Sequence, residues 1–186
     1  MVLLRKATTA DAELLTELGA RTFVETFAVD NTEQNMADYL AQSFTPEKQL
    51  AELADPNSIV KIAEVDDVAV GYYMLSTNKT PAGIESNNAI ELVRLYVAKD
   101  CIGKGVGAAL MKDCLEQAKQ LGHETIWLGV WENNFRAQAF YRKWNFEVVG
   151  THVFQLGDDA QTDFLMQRQL MSDTLLACPD LKELNH

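Results

Sequence analysis

The segment from Glu91 to Met111, ELVRLYVAKDCIGKGVGAALM, constrains the fold more than any other part of the chain. Glu91 to Val97 has the branched and aromatic content of a strand, a helix is expected from about Gly105, and Gly103, Gly105 and Gly107 stand where the strand has ended and the helix begins. Glycines at a helix start leave successive backbone amides bare, and the helix N-terminus adds partial positive charge, so the unit suits a phosphate or pyrophosphate. Lys104 adds a full charge. A Walker A loop is excluded, because no Gly-Lys-Ser/Thr follows four residues after a glycine. The spacing of Gly103, Gly105 and Ala108 permits a dinucleotide fingerprint with Glu132 as its ribose acid, but that fingerprint lies in a tight turn directly after its strand. Here Ala98 to Ile102 intervene, which weighs against it. A loop chosen for turn geometry alone is the plain structural alternative.

Around this unit the chain alternates helix and strand signals. Val2 to Lys6 reads as a strand, and Thr8-x-x-Asp11 as a capping box before a helix with Leu14, Leu15, Leu18 and Phe23 on its apolar face. A second helix is expected from about Thr32 to Phe44, and Thr45-Pro46 opens a short third that ends near Asp55-Pro56. Ile59 to Val65 and Val68 to Leu75 form a hairpin about Asp66-Asp67, Ser76 to Asn88 reads as a loop, and Ala89 to Val97 as a strand. A helix from about Gly105 stops at Gly122, Thr125 to Val130 is a strand, Asn134 to Trp144 a helix, and two strands flank Gly157-Asp158. With 186 residues, 47% of them apolar, the chain supports one core. The mixed order predicts a single α/β domain over residues 1–170, an α+β arrangement with a partly antiparallel sheet, and a tail over 171–186.

The formal charge is −11, which disfavours nucleic acid as a partner. Its distribution is uneven, with −8 in residues 1–90, +1 in 91–150 and −4 in 151–186. Only the middle third could host an anionic ligand without a field against it. Cys101, Cys114 and Cys178 form no C-x-x-C, and His123, His152 and His186 lack metal-ligand spacing, so no metal site is expected and each histidine reads as structural or surface. No apolar run approaches the roughly 20 residues of a membrane span, and the expectation is a soluble, unprocessed, cytoplasmic protein.

Several spaced features resemble the GCN5-related N-acetyltransferase (GNAT) superfamily over about residues 2–170. Ile102-Gly103-Lys104-Gly105-Val106-Gly107 matches that family's phosphate loop, [QR]-x-x-G-x-[GA], except that Ile102 replaces Arg or Gln. Leu92 to Val97 resembles the preceding strand, Asn134-x-x-Ala137 with Phe140-Tyr141 the later helix, and Phe146 its closing residue, with Asn145 in place of the usual glycine. TFVETFAVDN from Thr22 and GTHVFQLGDDAQTDFLM from Gly150 are similar to the Pai-type polyamine N-acetyltransferases. The resemblance implies the GNAT fold, a mixed and mostly antiparallel sheet flanked by helices, and acetyl transfer from acetyl-coenzyme A to a primary amine such as spermidine or spermine.

It also implies roles residue by residue. Leu95, Tyr96 and Val97 would offer backbone groups to the pantetheine arm, while Ile102, Gly103, Lys104, Gly105, Val106, Gly107 and Ala108 would hold the pyrophosphate. Asn134 would contact the cofactor and Lys143 would reach its 3′-phosphate. Tyr141 would protonate the departing thiolate, and Glu91, or a water relay, would take the proton of an ammonium whose pKa is about 10. Glu25, Asp30, Glu33 and Asp38, on or between the first two helices, would attract a polycation, although a solvated helix face explains them as well. Phe23, Phe27 and Tyr39 read as core. A small-molecule amine is thus the expected partner, and a homodimer is left open. Acetylation of a protein lysine or N-terminus, and a non-catalytic coenzyme A-binding regulator, are the alternatives.

Overall fold

The computed structural model describes residues 1–84, 86 and 88–170; the expected tail lies outside the described residues, as do Cys178 and His186. Strand β1 (Leu3–Lys6) leads through a single helical turn into α1 (Ala12–Phe27), followed by α2 (Glu33–Ser43) and α3 (Pro46–Ala54). The expected caps start these helices. Thr8 and Asp11 form the reciprocal capping box, Thr32 accepts from the Asn35 amide, and Thr45 accepts from the Lys48 amide with Pro46 in the first turn.

Strands β2 (Ser58–Val65) and β3 (Val68–Ser76) make the hairpin, with Asp66 and Asp67 at φ 51° and 62°. Then come β4 (Ala89–Val97), α4 (Val106–Gln120), β5 (Thr125–Trp131), α5 (Phe135–Lys143), β6 (Glu147–Leu156) and β7 (Asp159–Gln169). Asn145 adopts φ 60° after α5, the left-handed position that its place at a helix end requires.

The seven strands form one sheet in the order β1-β2-β3-β4-β5-β7-β6. Every neighbouring pair is antiparallel except β4 and β5, which run parallel and pair only where Ala89 to Glu91 meet Thr125 to Trp127. Beyond that point β4 keeps β3 as its partner and β5 keeps β7, so a wedge opens between them. A bulge favours the divergence. Arg94 opposes Met74 and Leu92 opposes Leu75, which leaves Val93 as an extra residue that bends β4.

Apolar burial holds the two halves around the wedge. On one face α4 packs Leu110, Met111 and Cys114 against Ile126, Leu128 and Phe146. On the other, Leu15 and Leu18 of α1 cover Ile62, Tyr72 and Met74. Each such side chain contributes about 1.5–3 kcal/mol on burial. A third cluster, Phe23, Met36, Phe44 and Leu156, ties α1 and α2 to β6. The β6–β7 turn also docks on this helical cap. The Asp158 amide donates to Asn35 Oδ1 at 3.2 Å, Gln161 donates to Asn31 Oδ1 at 2.6 Å, and a Cβ on Gly157 would lie 2.5 Å from Asn35.

Candidate active site

A cavity of about 620 Å³ runs through the wedge. At one end is the glycine loop. Gly103 and Gly105 adopt φ 80° and 88°, where L side chains are strained, and no side chain caps α4. The first amides of α4 therefore have no helical acceptor and face a ligand or water. Gly107 lies within the helix, where an added Cβ would stand 3.8 Å from the Phe140 ring and Val97. The preceding turn is fixed from α1, because the Lys99 amide donates to Glu25 Oε2 at 2.9 Å.

The residues present fit a phosphorylated, extended ligand such as coenzyme A. Ile102, Gly103, Gly105, Gly107 and Ala108 border the cavity, and so do Leu95, Tyr96 and Val97, whose backbone faces the unpaired side of β4. Asn134 borders it too, while its Oδ1 caps α5 by accepting from the Ala137 amide at 3.1 Å. Val106 is instead buried beneath the loop, and Lys104 and Lys143 are exposed outside the lining. Arg136, which the sequence did not single out, stands at the mouth.

Midway lie the two groups expected to move protons. Tyr141, on α5, packs its ring against Phe140 and Phe146 at 5.6 and 5.8 Å. Its hydroxyl has no hydrogen-bond partner among the described residues, and burial raises its pKa above the ordinary value, so it stays protonated at neutral pH. Glu91 enters from the opposite face of the sheet. Burial pushes its carboxyl up to about 7, against the opposing pull of Lys79 and Arg94. Glu91 does not pair with Arg94, three residues along the same strand. Arg94 is buried in a two-pronged pair with Glu52 and lies over the Phe44 ring at 5.3 Å, leaving Glu91 without an ion partner.

The far end differs most from expectation. Phe27 and Tyr39, expected in the core, are half-buried and line the cavity with Trp131 and Phe154. The acidic residues of the first two helices do not enter it. Glu33 is exposed, Asp38 accepts from Gln34 on α2, Asp30 borders only a shallower recess, and Glu25 holds the Lys99 amide. The carboxylates inside are Glu91 and Asp163. His152, read from the sequence as structural or surface, also lines the wall, opposite Asp163 in the β6–β7 register. The alternation of His152, Phe154 and Leu156, and of Gln161, Asp163 and Leu165, put each set on one face, but the register that joins them was not written in either strand.

Comparison with known proteins agrees with this geometry. The acetyltransferase (GNAT) family model matches residues 17–146. An uncharacterized N-acetyltransferase of Lactobacillus delbrueckii subsp. lactis is 33% identical over 154 residues, 83% of this chain and 89% of that protein. A spermidine N(1)-acetyltransferase of Thermoplasma acidophilum is 26% identical over 173 residues, 91% of this chain and 98% of that one. The crystal structure of a PaiA N-acetyltransferase from Thermoplasma acidophilum in complex with coenzyme A superposes with a TM-score of 0.76 at 24% identity, covering 91% of this chain and 99% of that one, a likeness of fold. A parted β4–β5 pair with a bare glycine loop at its mouth, together with a family match that spans most of the described chain, shows that this protein belongs to the acetyltransferase (GNAT) family.

Proposed function

We propose that the protein transfers the acetyl group of acetyl-coenzyme A to a primary amine of a polyamine, of the spermidine or spermine class. One observation carries the reading: a single cavity crosses the sheet, with bare amides at one end and unpaired carboxyl groups at its middle and far end. The similarity to a spermidine N(1)-acetyltransferase points the same way.

The donor supplies an activated acetyl thioester; the chain supplies position and protons. Amides from Gly103 to Ala108 bind the pyrophosphate, the open edge of β4 at Leu95 to Val97 aligns the arm, and Asn134 orients it. An acceptor with a pKa near 10 is about 10⁻³ neutral at pH 7, so a base is required. Glu91 takes one proton from the ammonium nitrogen onto Oε, which frees the lone pair. Its raised pKa makes it a better proton acceptor than an ordinary carboxylate, while leaving it ionised in mildly alkaline solution. The Tyr141 hydroxyl holds the proton that a departing sulfur requires. The wedge holds both reactants in one line, which is the larger part of the rate enhancement.

A coenzyme A release assay across polyamines, diamines, amino acids and basic peptides tests this. Saturable release with polyamines at low concentration is expected. Preference for basic peptides would make the protein a lysine or N-terminal acetyltransferase, and bound coenzyme A with no release from any amine would make it a non-catalytic binding protein.

A further inference from the structure

We propose that Asp163 and His152 bind the second ammonium of a diamine or polyamine whose reacting amine stands at Glu91; this rests on the amine reading above and specifies the acceptor. The two residues oppose each other across β7 and β6, with His152 Nε2 3.7 Å from Asp163 Oδ2, too long for a hydrogen bond. Asp163 Oδ1 and His152 Nε2 are both buried without a hydrogen-bond partner among the described residues. Polar atoms left in that state cost free energy that a suitable donor recovers. Asp163 shows the consequence, since burial and then the nearby charge of Glu132 push its carboxyl up to about 6.

The surroundings select a cation. A Cβ on Gly129 would stand 2.9 Å from His152 Nε2 and 3.3 Å from Asp163 Oδ2, so glycine at this point of β5 keeps the pair seated against the strand. Trp131 and Phe27, 6.1 Å apart, and Tyr39 and Phe154, 5.5 Å apart, offer ring faces that attract alkylammonium groups. Arg94, the buried cation of the lining, is already committed to Glu52. Spacing then calls for two charges on the acceptor. Glu91 registers with Trp127, and the Asp163 carboxylate lies beside Gly129, two residues further along β5, or ~7 Å at the rise of a strand. An acceptor with two ammonium groups a few methylenes apart can give each carboxyl group its own cation.

Calorimetry on the full chain, saturated with coenzyme A, would compare spermidine, butylamine and a lysine-containing peptide. Wild type is expected to bind spermidine ~10-fold or more tightly than butylamine, and Asp163→Asn to abolish most of that preference without changing coenzyme A affinity. Gly129→Ala, whose Cβ presses on the tip of the His152 ring and on Asp163 Oδ2, should lower the preference independently should Asp163→Asn fold poorly. Equal spermidine affinity in wild type and both variants overturns the proposal, as does wild type that fails to distinguish spermidine from butylamine. Dependence on Asp163 seen with the peptide and not with spermidine overturns the polyamine source. Coenzyme A release in the same samples separates this from the parent reading. Asp163-dependent spermidine binding without release keeps the site and removes acetyl transfer; release from amines that ignores Asp163→Asn keeps transfer and removes the site.

Discussion

The two ends of the cavity are built from different materials. The cofactor end is mostly backbone, namely the amides at the start of α4 and the free edge of β4, all within residues 91–108. The far end, where we place the acceptor, is mostly side chain, gathered from α1, α2, β5, β6 and β7. Backbone groups are common to every residue, so what the first end asks of the sequence is glycines and a helix start. The second end depends on which side chains meet, and a change of one residue in strand register would turn Asp163 and His152 to opposite faces. Donor binding should therefore be robust to side-chain changes at the far end, and acceptor choice sensitive to them.

The largest expected effect falls where the ends meet. Glu91→Gln should lower turnover at pH 8 by ~10²-fold or more if this carboxylate takes the proton, and the wild-type rate should rise with pH to a plateau above about 7. The same substitution should raise stability. A carboxyl group whose folded pKa exceeds its unfolded value gives stability below pH 4.5 that is lost as pH rises through about 7. Neutralising Glu91 removes that loss, so the melting temperature at pH 8 should increase while it changes little at pH 4. A slower enzyme that is also less stable at pH 8 would mark Glu91 as a structural residue.

Tyr141→Phe comes next, with ~10²-fold slower turnover, unchanged melting and unchanged coenzyme A affinity. Its ring contacts survive the change, so full activity at saturating substrates would assign Tyr141 to packing alone. At the cofactor end, Gly107→Asp is a cleaner probe than Gly105→Val. A Cβ at Gly107 meets only ordinary contacts at 3.8 Å, whereas Gly105 has φ 88° and would strain any replacement. Aspartate in the first turn suits the helix dipole but opposes a phosphate, so coenzyme A should bind ~10-fold or more weakly with the fold intact. Titration showing unchanged affinity would break the assignment of this end.

The smallest effect is expected from neutralising Glu33 and Asp38 together. Both lie outside the cavity, and at ~0.15 M salt their field is screened beyond about 8 Å. The KM for spermidine should change less than ~2-fold. A large increase would mean that the acceptor approaches along α2, and would weaken the contrast between the two ends.

Local chemistry made much of the fold legible. Thr8-x-x-Asp11, Thr32 and Thr45-Pro46 place helix starts, Asp66-Asp67 turns a hairpin, Asn145 and Gly122 end helices, and each signal acts within a few residues of itself. The glycine loop belongs to the same class. Gly103 and Gly105 need positive φ for reasons confined to their own turn, so the sequence could mark that end of the site before any packing was known. The parting of β4 from β5 could not be read in this way, since the bulge at Val93 exists only as a mismatch between two strands. Nor could the fate of the charges. Arg94 stands three residues from Glu91 on the same strand, but α3 brings Glu52 to it from elsewhere in the chain, and Glu91 stays free. Sequence by itself determined the elements, their ends and the anion-binding turn, because these depend on neighbours along the chain. The tertiary structure alone decided which carboxyl groups lack partners and which histidine faces the cavity, because pairing and desolvation depend on residues that folding brings together from far apart.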